Sequence, residues 1–396
     1  MGRVKQFAGV LAILACSLSG ALAQQSRVFR DGNSWVEEKT GSLPAAKILK
    51  LRLTMGSVRV QGGAPAISYT IRSRVNVGSE QEARKMFDRY QISMGSRGDS
   101  AWITGEWHGS WPKKFSDDVV LNVPREMELI KIETQCGDIG VDDIAGNFDG
   151  QSGGGKVNVE TVGGTVTAET GGGDVRIVRA SGAHIITGGG NIELGDIDGL
   201  VSLETGGGNV HLASATGAVK AETGAGNITA QRCTSSVKAE TGGGNIEIGD
   251  VGGEVEMSSG GGRLKLASAR GMVRAETGSG RMDLGRVGGG VRAETGAGGI
   301  AVEIPADSKF ADSELESPAG DVVVYLSPQL AAVIRASIDA ASGHTILSDF
   351  PEIHITTEGG EWGAKMVSAE GRLNGGGPML RVKTSSGNIE FRRLSH

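Results

Sequence analysis

The stretch Val219-Lys220-Ala221-Glu222-Thr223-Gly224-Ala225-Gly226-Asn227-Ile228 returns 18 residues later as Val237-Lys238-Ala239-Glu240-Thr241-Gly242-Gly243-Gly244-Asn245-Ile246. It is legible again as Val273-Arg274-Ala275-Glu276-Thr277 and Val291-Arg292-Ala293-Glu294-Thr295. A fixed period of this length marks a stack of short coils, each unable to bury its apolar face alone. Inside each phrase apolar and polar residues alternate, the period-two signal of a half-buried strand. Val219 and Ala221 face in, and Lys220 and Glu222 face out. The Gly-x-Gly that follows is expected to supply positive φ angles at a tight corner.

The Thr position is a ruler for the rest. Thr187, Thr205, Thr223, Thr241, Ser259, Thr277 and Thr295 are 18 apart, Thr170 precedes Thr187 by 17, and Ser152 and Thr134 continue the series backwards. A second alternating strand follows each corner, as Ile192 and Leu194, Val210 and Leu212, or Leu264 and Leu266. A third inward column runs Ile197, Ala215, Cys233, Val251, Ala269 and Val287. The expected fold is therefore all-β: a single-chain parallel β-solenoid with coils of about 18 residues. Ten or so coils at the interstrand spacing of about 4.8 Å make a rod roughly 45–50 Å long.

Composition agrees with a thin core. The chain has 396 residues with 66 Gly, only nine Pro, 38% hydrophobic and 4% aromatic residues. Gly at this level without a G-X-Y period excludes collagen. A formal net charge of −6 gives no basic stripe for nucleic acid.

The first 23 residues read as an export signal: Arg3 and Lys5, an apolar run from Phe7 to Leu18, and the small-x-small site Ala21-Leu22-Ala23. Cys16 offers a lipoprotein reading, which the short apolar run before it disfavours. No later apolar run approaches the roughly 18 residues a transmembrane helix needs. The expected location is outside the cytoplasm: periplasm, cell surface or secreted.

Residues 24–129 read as a β-rich N-terminal cap region. One short helix begins near Ser79 with a capping box to Glu82 and carries Ala83, Met86, Phe87 and Tyr90 on one face. Residues 130–327 are the Gly-rich repeat, and residues 328–396 a solenoid continuation and C-terminal β cap. Caps are expected because a bare solenoid end is an open sheet edge.

Chemistry is sparse in this pattern. A calcium β-roll needs Asp after the glycines, where successive coils place His211, Thr229, Glu247, Lys265 and Asp283. Gly150-Gln151-Ser152-Gly153-Gly154 matches a nucleophile elbow on paper, but a strand follows it and Ser152 lies in the Thr column. His108, His184, His211, His344 and His354 show no metal spacing. No catalytic, metal or cofactor-binding residue is expected. Asn191, Asn209, Asn227 and Asn245 read as a corner ladder of stacked amides, Asn also tolerating the left-handed conformation.

Candidate ligand-binding residues are of two kinds. Trp102, Trp107 and Trp111 crowd one segment, where exposed rings would stack on sugars. Lys220, Lys238, Arg274 and Arg292 form a basic column beside Glu204, Glu222, Glu240, Glu276 and Glu294, a face for a charged polymer or simply a solvated surface. Arg97-Gly98-Asp99 reads as a chance tripeptide at a turn. Cys136 and Cys233 are about five coils apart, on the order of 25 Å, so no disulfide joins them.

At the C-terminus Leu373-Asn374-Gly375-Gly376-Gly377, then Leu380-Arg381-Val382-Lys383-Thr384-Ser385-Ser386-Gly387-Asn388-Ile389-Glu390, closely resembles the bacterial putative-adhesin family of exported β-solenoid proteins. So do Val119-Val120-Leu121-Asn122-Val123-Pro124 and Ile132-Glu133-Thr134 with Gly137-Asp138-Ile139. The resemblance implies an envelope or surface location and adhesion, and brings no catalytic residues. The expected function is an envelope scaffold or adhesin-like binding protein without catalysis, its partner an envelope polymer or another protein. The alternatives are a carbohydrate-binding module using the Trp-rich cap and a polysaccharide-active β-helix enzyme.

The strand faces are directly testable. Leu266→Asp places an unpaired charge in the apolar column and is expected to cost more than about 4 kcal/mol. Lys265→Asp, one residue away and outward, is expected to be tolerated. Equal melting temperatures for the two variants would contradict the assigned faces.

Overall fold

The computed structural model describes residues 24–109, 115–341, 343–359 and 365–394. Two parallel sheets face each other across one apolar core. Sheet 1 holds Val219–Thr223 and its equivalents, and sheet 2 holds Ile228–Cys233 and its equivalents. Coils stack in the predicted register: Val219, Ala221 and Thr223 lie over Val201, Leu203 and Thr205 and under Val237, Ala239 and Thr241. The inward residues are buried as the alternation requires, and the core is one continuous cluster from Leu43 to Phe391.

The corners hold by a different mechanism from the expected one. Apart from Gly137 (φ 150°), the repeat glycines do not adopt positive φ. What demands glycine is closeness: a Cβ built on Gly206 would sit on the Gly188 carbonyl oxygen, and one on Gly208 on that of Gly190, one coil away. The middle residue is free, with nothing within 4 Å of a Cβ at Gly189, Gly207 or Gly243. That explains why Ala225, Ser279, Ala297 and Cys136 are accepted there.

The buried Thr closes each corner. The Thr205 hydroxyl donates to the Gly190 carbonyl of the preceding coil at 2.8 Å and accepts from the Gly208 N–H of its own coil at 3.1 Å. Thr223 and Thr241 repeat this, as do Ser152 and Ser259. One small hydroxyl thus satisfies two backbone groups that the sharp corner leaves outside the strand ladders, groups that cost about 1–3 kcal/mol each if buried unpaired. Ser152 is one of these staples and not a nucleophile on an elbow.

The Asn column is also modified by the structure. The Asn209 N–H donates to Asn191 Oδ1 at 2.9 Å, and the Asn227 N–H to Asn209 Oδ1 at 2.9 Å; the side-chain amide contacts are longer, at 3.3 Å. Each amide therefore caps the backbone of the next coil, as Asn245 does for Arg263. None of the four has positive φ. The same role is taken by Asp138 and Asp174 earlier in the chain.

The third side is a bent end and not a separate strand. In Ile228–Cys233 the pattern breaks at Gln231 and Arg232, both outward, before Cys233 turns in. The 17-residue step is a shorter return turn: two residues lie between Ala180 and Ala183 where three lie between Ile197 and Val201.

Both ends extend the rod with coils out of chain order. Ile48–Leu53 lies between Leu129–Thr134 and Ser100–Trp107, parallel to both. Ser57–Gln61 lies likewise between Ile139–Asp142 and Phe115–Asn122. At the other end Met379–Ser386 inserts between Ser313–Ala319 and Ala332–Ile338, and Ile389–Arg393 between Val322–Leu326 and Ile346–Ser348. This is why Leu380-Arg381-Val382-Lys383-Thr384, a further copy of the repeat phrase, lies outside the 18-residue spacing. The described residues make fifteen parallel levels, a rod of roughly 65–70 Å, longer than expected from contiguous repeats.

Antiparallel strands finish the ends: Ile67–Val75, Ser34–Leu43 and Gln25–Asp31 on sheet 2, Tyr90–Arg97 on sheet 1, and Met366–Leu373 with Ile353–Glu358 at the far end. The helix is Glu80–Phe87, and the Ser79 hydroxyl accepts from the Glu82 N–H. Tyr90 lies outside it, at the start of the next strand, yet shares its apolar cluster. Cys136 is exposed, Cys233 is buried, and both are free.

The staple is expected to carry measurable stability. Thr223→Ser, matching Ser152 and Ser259, should leave the melting temperature nearly unchanged, whereas Thr223→Val should lower stability by about 1–3 kcal/mol. Gly226→Ala should be worse still, and Gly243→Ala neutral. A neutral Gly226→Ala would refute the close-approach account.

Candidate functional site

The crowded Trp segment does not form one platform. Trp102 and Trp107 are five residues apart on the strand Ser100–Trp107, so alternation sends them to opposite faces. Trp102 pairs across the ladder with Gly95, and its ring lies where a Gly95 side chain would be. Tyr69 covers Gly41 and Tyr90 covers Gly105 in the same way, aromatic cover of a strand glycine. Trp102 is thus committed to the hairpin. Trp107 packs against Phe115 at 5.0 Å and Tyr90 at 6.5 Å between ring centroids. Trp111 lies outside the described residues.

Beneath Trp107 lies a buried polar cluster that sequence reading missed. Asp117, 1% exposed, accepts hydrogen bonds from the Ser73 hydroxyl at 2.8 Å and the Tyr90 hydroxyl at 3.0 Å. Burial pushes its carboxyl up to about 6, the two hydroxyl donors opposing the shift. The signal was present: Asp117 holds an inward place in the alternating row Phe115, Val119, Leu121. Nearby, Glu38 has the opposite balance. Arg72 at 2.7 Å and Arg27 at 2.6 Å hold its carboxyl below the usual range despite burial.

Three of the four cations in the basic column are held in ion pairs. Lys220 bonds Glu222 at 2.7 Å, Lys238 bonds Glu240 at 2.7 Å and Glu256 at 3.0 Å, and Arg292 bonds Glu314 at 3.2 Å. These carboxylates raise both lysine ammoniums above their ordinary range. Glu256 also occupies the column itself, between Lys238 and Arg274. The structure therefore presents two pairs of cations separated by an acid. Lys265, in the column considered for calcium, pairs with Glu247 at 2.6 Å.

Two open grooves lie on sheet 1. The first, about 910 Å³, follows the Thr-Gly corner over the N-terminal coils. Gly153, Gly171 and Gly188 form its floor, Glu133, Gln151 and Glu169 its side, and Trp107 with Glu106 its end. Arg52 reaches Glu133 at 2.6 Å. The second, about 810 Å³, follows the return turn and combines Lys220 and Lys238 with Leu200, which is 71% exposed. Both are shallow channels parallel to the rod. Among the described residues no three His, Cys, Asp or Glu side chains gather to hold a metal ion, and no helix is long and apolar enough to cross a membrane. His344 sits 3.3 Å from the Ser386 hydroxyl.

No family model and no curated protein matches the chain. Among solved structures it is similar to a putative adhesin from Bacteroides fragilis, with 13% identity and TM-score 0.34 over 67% of this chain and 96% of that one. It is also similar to a putative lipid binding protein from Parabacteroides distasonis, with 12% identity and TM-score 0.29 over 71% and 96%. A putative cell adhesion protein from Clostridium sporogenes has 9% identity and TM-score 0.17 over 94% and 100%. Two of these names are adhesin names, as is that of the family residues 373–390 resemble. At these TM-scores the reading of this chain rests on its own geometry.

The Asp117 cluster predicts a pH signature. Its raised pKa means that between about pH 4 and 6 the folded chain holds a proton the unfolded chain releases, so this group's contribution to stability falls as pH rises through that window. Asp117→Asn removes the linkage. Relative to wild type, the variant should gain on the order of 3 kcal/mol from pH 4 to pH 7. Parallel stability profiles in chemical denaturation across that range would count against the assignment.

Proposed function

We propose that this chain is an exported, non-catalytic envelope rod, an adhesin-like binding or scaffold protein that engages its partner along a face of the solenoid. The observation that supports this is the unbroken stack of fifteen levels with grooves that stay open along sheet 1. Such a surface favours an extended partner, a polymer or another protein, over a small substrate enclosed on several sides. The charged Lys–Glu columns are mutually paired, which leaves little net field to steer a polyanion. A second reading, carbohydrate recognition at the N-terminal end, is favoured by the groove that ends on Trp107.

Expression of the tagged full chain in a bacterial host should yield a product lacking residues 1–23 that fractionates with periplasm, surface or medium. The purified product should be retained on isolated envelope material. Charge reversal at Lys220, Lys238, Arg274 and Arg292 should leave retention largely intact, while Trp107→Ala should reduce it. A full-length cytoplasmic product would refute the export reading, and turnover of a retained polysaccharide would establish the enzyme alternative.

A further inference from the structure

The Thr-Gly corner carries a second role besides closing the coil. From Ser152 to Thr295 each coil presents a buried Thr or Ser followed by a glycine that has no room for a side chain, preceded by an outward Glu or Gln except where Ile186 and Ser258 take that place. Repeated up the rod, this makes a channel with a flat backbone floor and one row mostly of carboxylates and amides, interrupted at Ile186 and Ser258. The channel appears at the N-terminal coils beside Gln151 and Glu169 and again farther along beside Glu276 and Glu294, where it encloses about 390 Å³. Among the described residues, Trp107 bounds it at the N-terminal end.

We propose that this channel is a binding track for an uncharged hexopyranose chain lying parallel to the rod axis, anchored where the track meets Trp107. The proposal deepens the carbohydrate reading above and rests on it. Four features point to this ligand class. Over three successive coils Glu133, Gln151 and Glu169 offer hydrogen-bonding side chains at intervals of about 4.8 Å, comparable with the length of one sugar unit in an extended glycan, before Ile186 follows in the row. The floor is made of glycine backbone, which lets a flat ring approach closely. Trp107 supplies an aromatic surface at the end on which a sugar ring can stack. The anchor's charge, with Glu106, Glu133 and Glu169 against Arg52, repels a uronic or sulfated chain and leaves neutral hydroxyls as the matching partner.

An extended peptide is the competing occupant, and the geometry disfavours it. Peptides dock on sheets mainly by completing a strand edge, and the strands under this channel are paired on both sides, as Phe148–Ser152 is with Ile130–Thr134 and Val166–Thr170. No backbone edge is left there to complete.

The test uses the full mature chain and defined probes: cellohexaose, laminarihexaose, maltohexaose, N-acetylchitohexaose and hexagalacturonate, each titrated by calorimetry. At least one neutral hexamer should bind, more tightly than its dimer and with little change between low and high salt, since no charge on the ligand is being screened. The double change Gln151→Ala with Glu169→Ala, both exposed and outside the core, should weaken that binding about tenfold or more through lost hydrogen bonds without moving the melting temperature. Trp107→Ala should weaken it too; because Trp107 also packs on Phe115, the double variant is the deciding one. Lys220→Glu with Lys238→Glu, in the other groove, should leave affinity unchanged. The proposal is overturned if no neutral hexamer binds at millimolar concentration, if only hexagalacturonate binds, or if the double variant keeps wild-type affinity. Retention on envelope material without binding of any neutral hexamer would remove the sugar track while leaving the envelope-rod reading in place.

Discussion

From Ser152 to Thr277 every coil turns on one contact: a buried Thr or Ser hydroxyl that bonds two backbone groups at a corner too tight for side chains. The Thr205 hydroxyl holds the Gly190 carbonyl below it and the Gly208 N–H beside it. Glycine is required on either side of the middle corner residue because the next coil's carbonyl occupies the place of a Cβ. Staple and glycines depend on each other. A larger corner residue would part the coils and break the hydroxyl's bond to the coil below, and an apolar residue in place of Thr would leave two buried backbone groups unpaired. The high glycine content, which in another arrangement would signal disorder, is here the condition for stacking at strand spacing.

Stacking also organises the surface. Because residues of one column sit directly above one another, any outward charge meets its like unless the neighbouring column compensates. The lysines and glutamates of sheet 1 do this within and between coils. The corner amides serve the same regularity, each accepting the N–H of the coil above. The result is a surface with little net field and long shallow channels, in which a repeating ligand meets repeating chemistry.

The ends solve the problem that stacking creates. At each end a coil distant in sequence is inserted inside the outermost one: residues 48–61 lie beneath 100–122, and residues 379–393 beneath 332–348. Pulling off an outer coil therefore breaks contacts with a segment separated by tens of residues, so the terminal levels are tied into the rod by chain connectivity as well as by pairing. The antiparallel strands beyond them, with the Glu80–Phe87 helix, cover apolar surface that a bare parallel edge would expose. The Asp117 cluster, buried among Phe115, Tyr90 and Ser73, belongs to this closure.

The sequence alone determined the solenoid, its 18-residue period, the inward and outward faces of Val219–Thr223 and its copies, the third inward column and the separation of Cys136 from Cys233. These are local or periodic properties, and a repeat states them many times over. Only the tertiary structure decided why Gly224 and Gly226 are glycine, since the cause is a carbonyl 18 residues away and not a φ angle. It alone decided that Ile48–Leu53 and Met379–Ser386 are coils of the rod, because pairings across 81 and 67 residues leave no period to read. It alone decided what each Trp ring meets, Trp102 covering Gly95 and Trp107 ending a groove. Alternation along Ser100–Trp107 already placed the two rings on opposite faces. What each ring met there was set by neighbouring strands, which no short stretch of sequence contains.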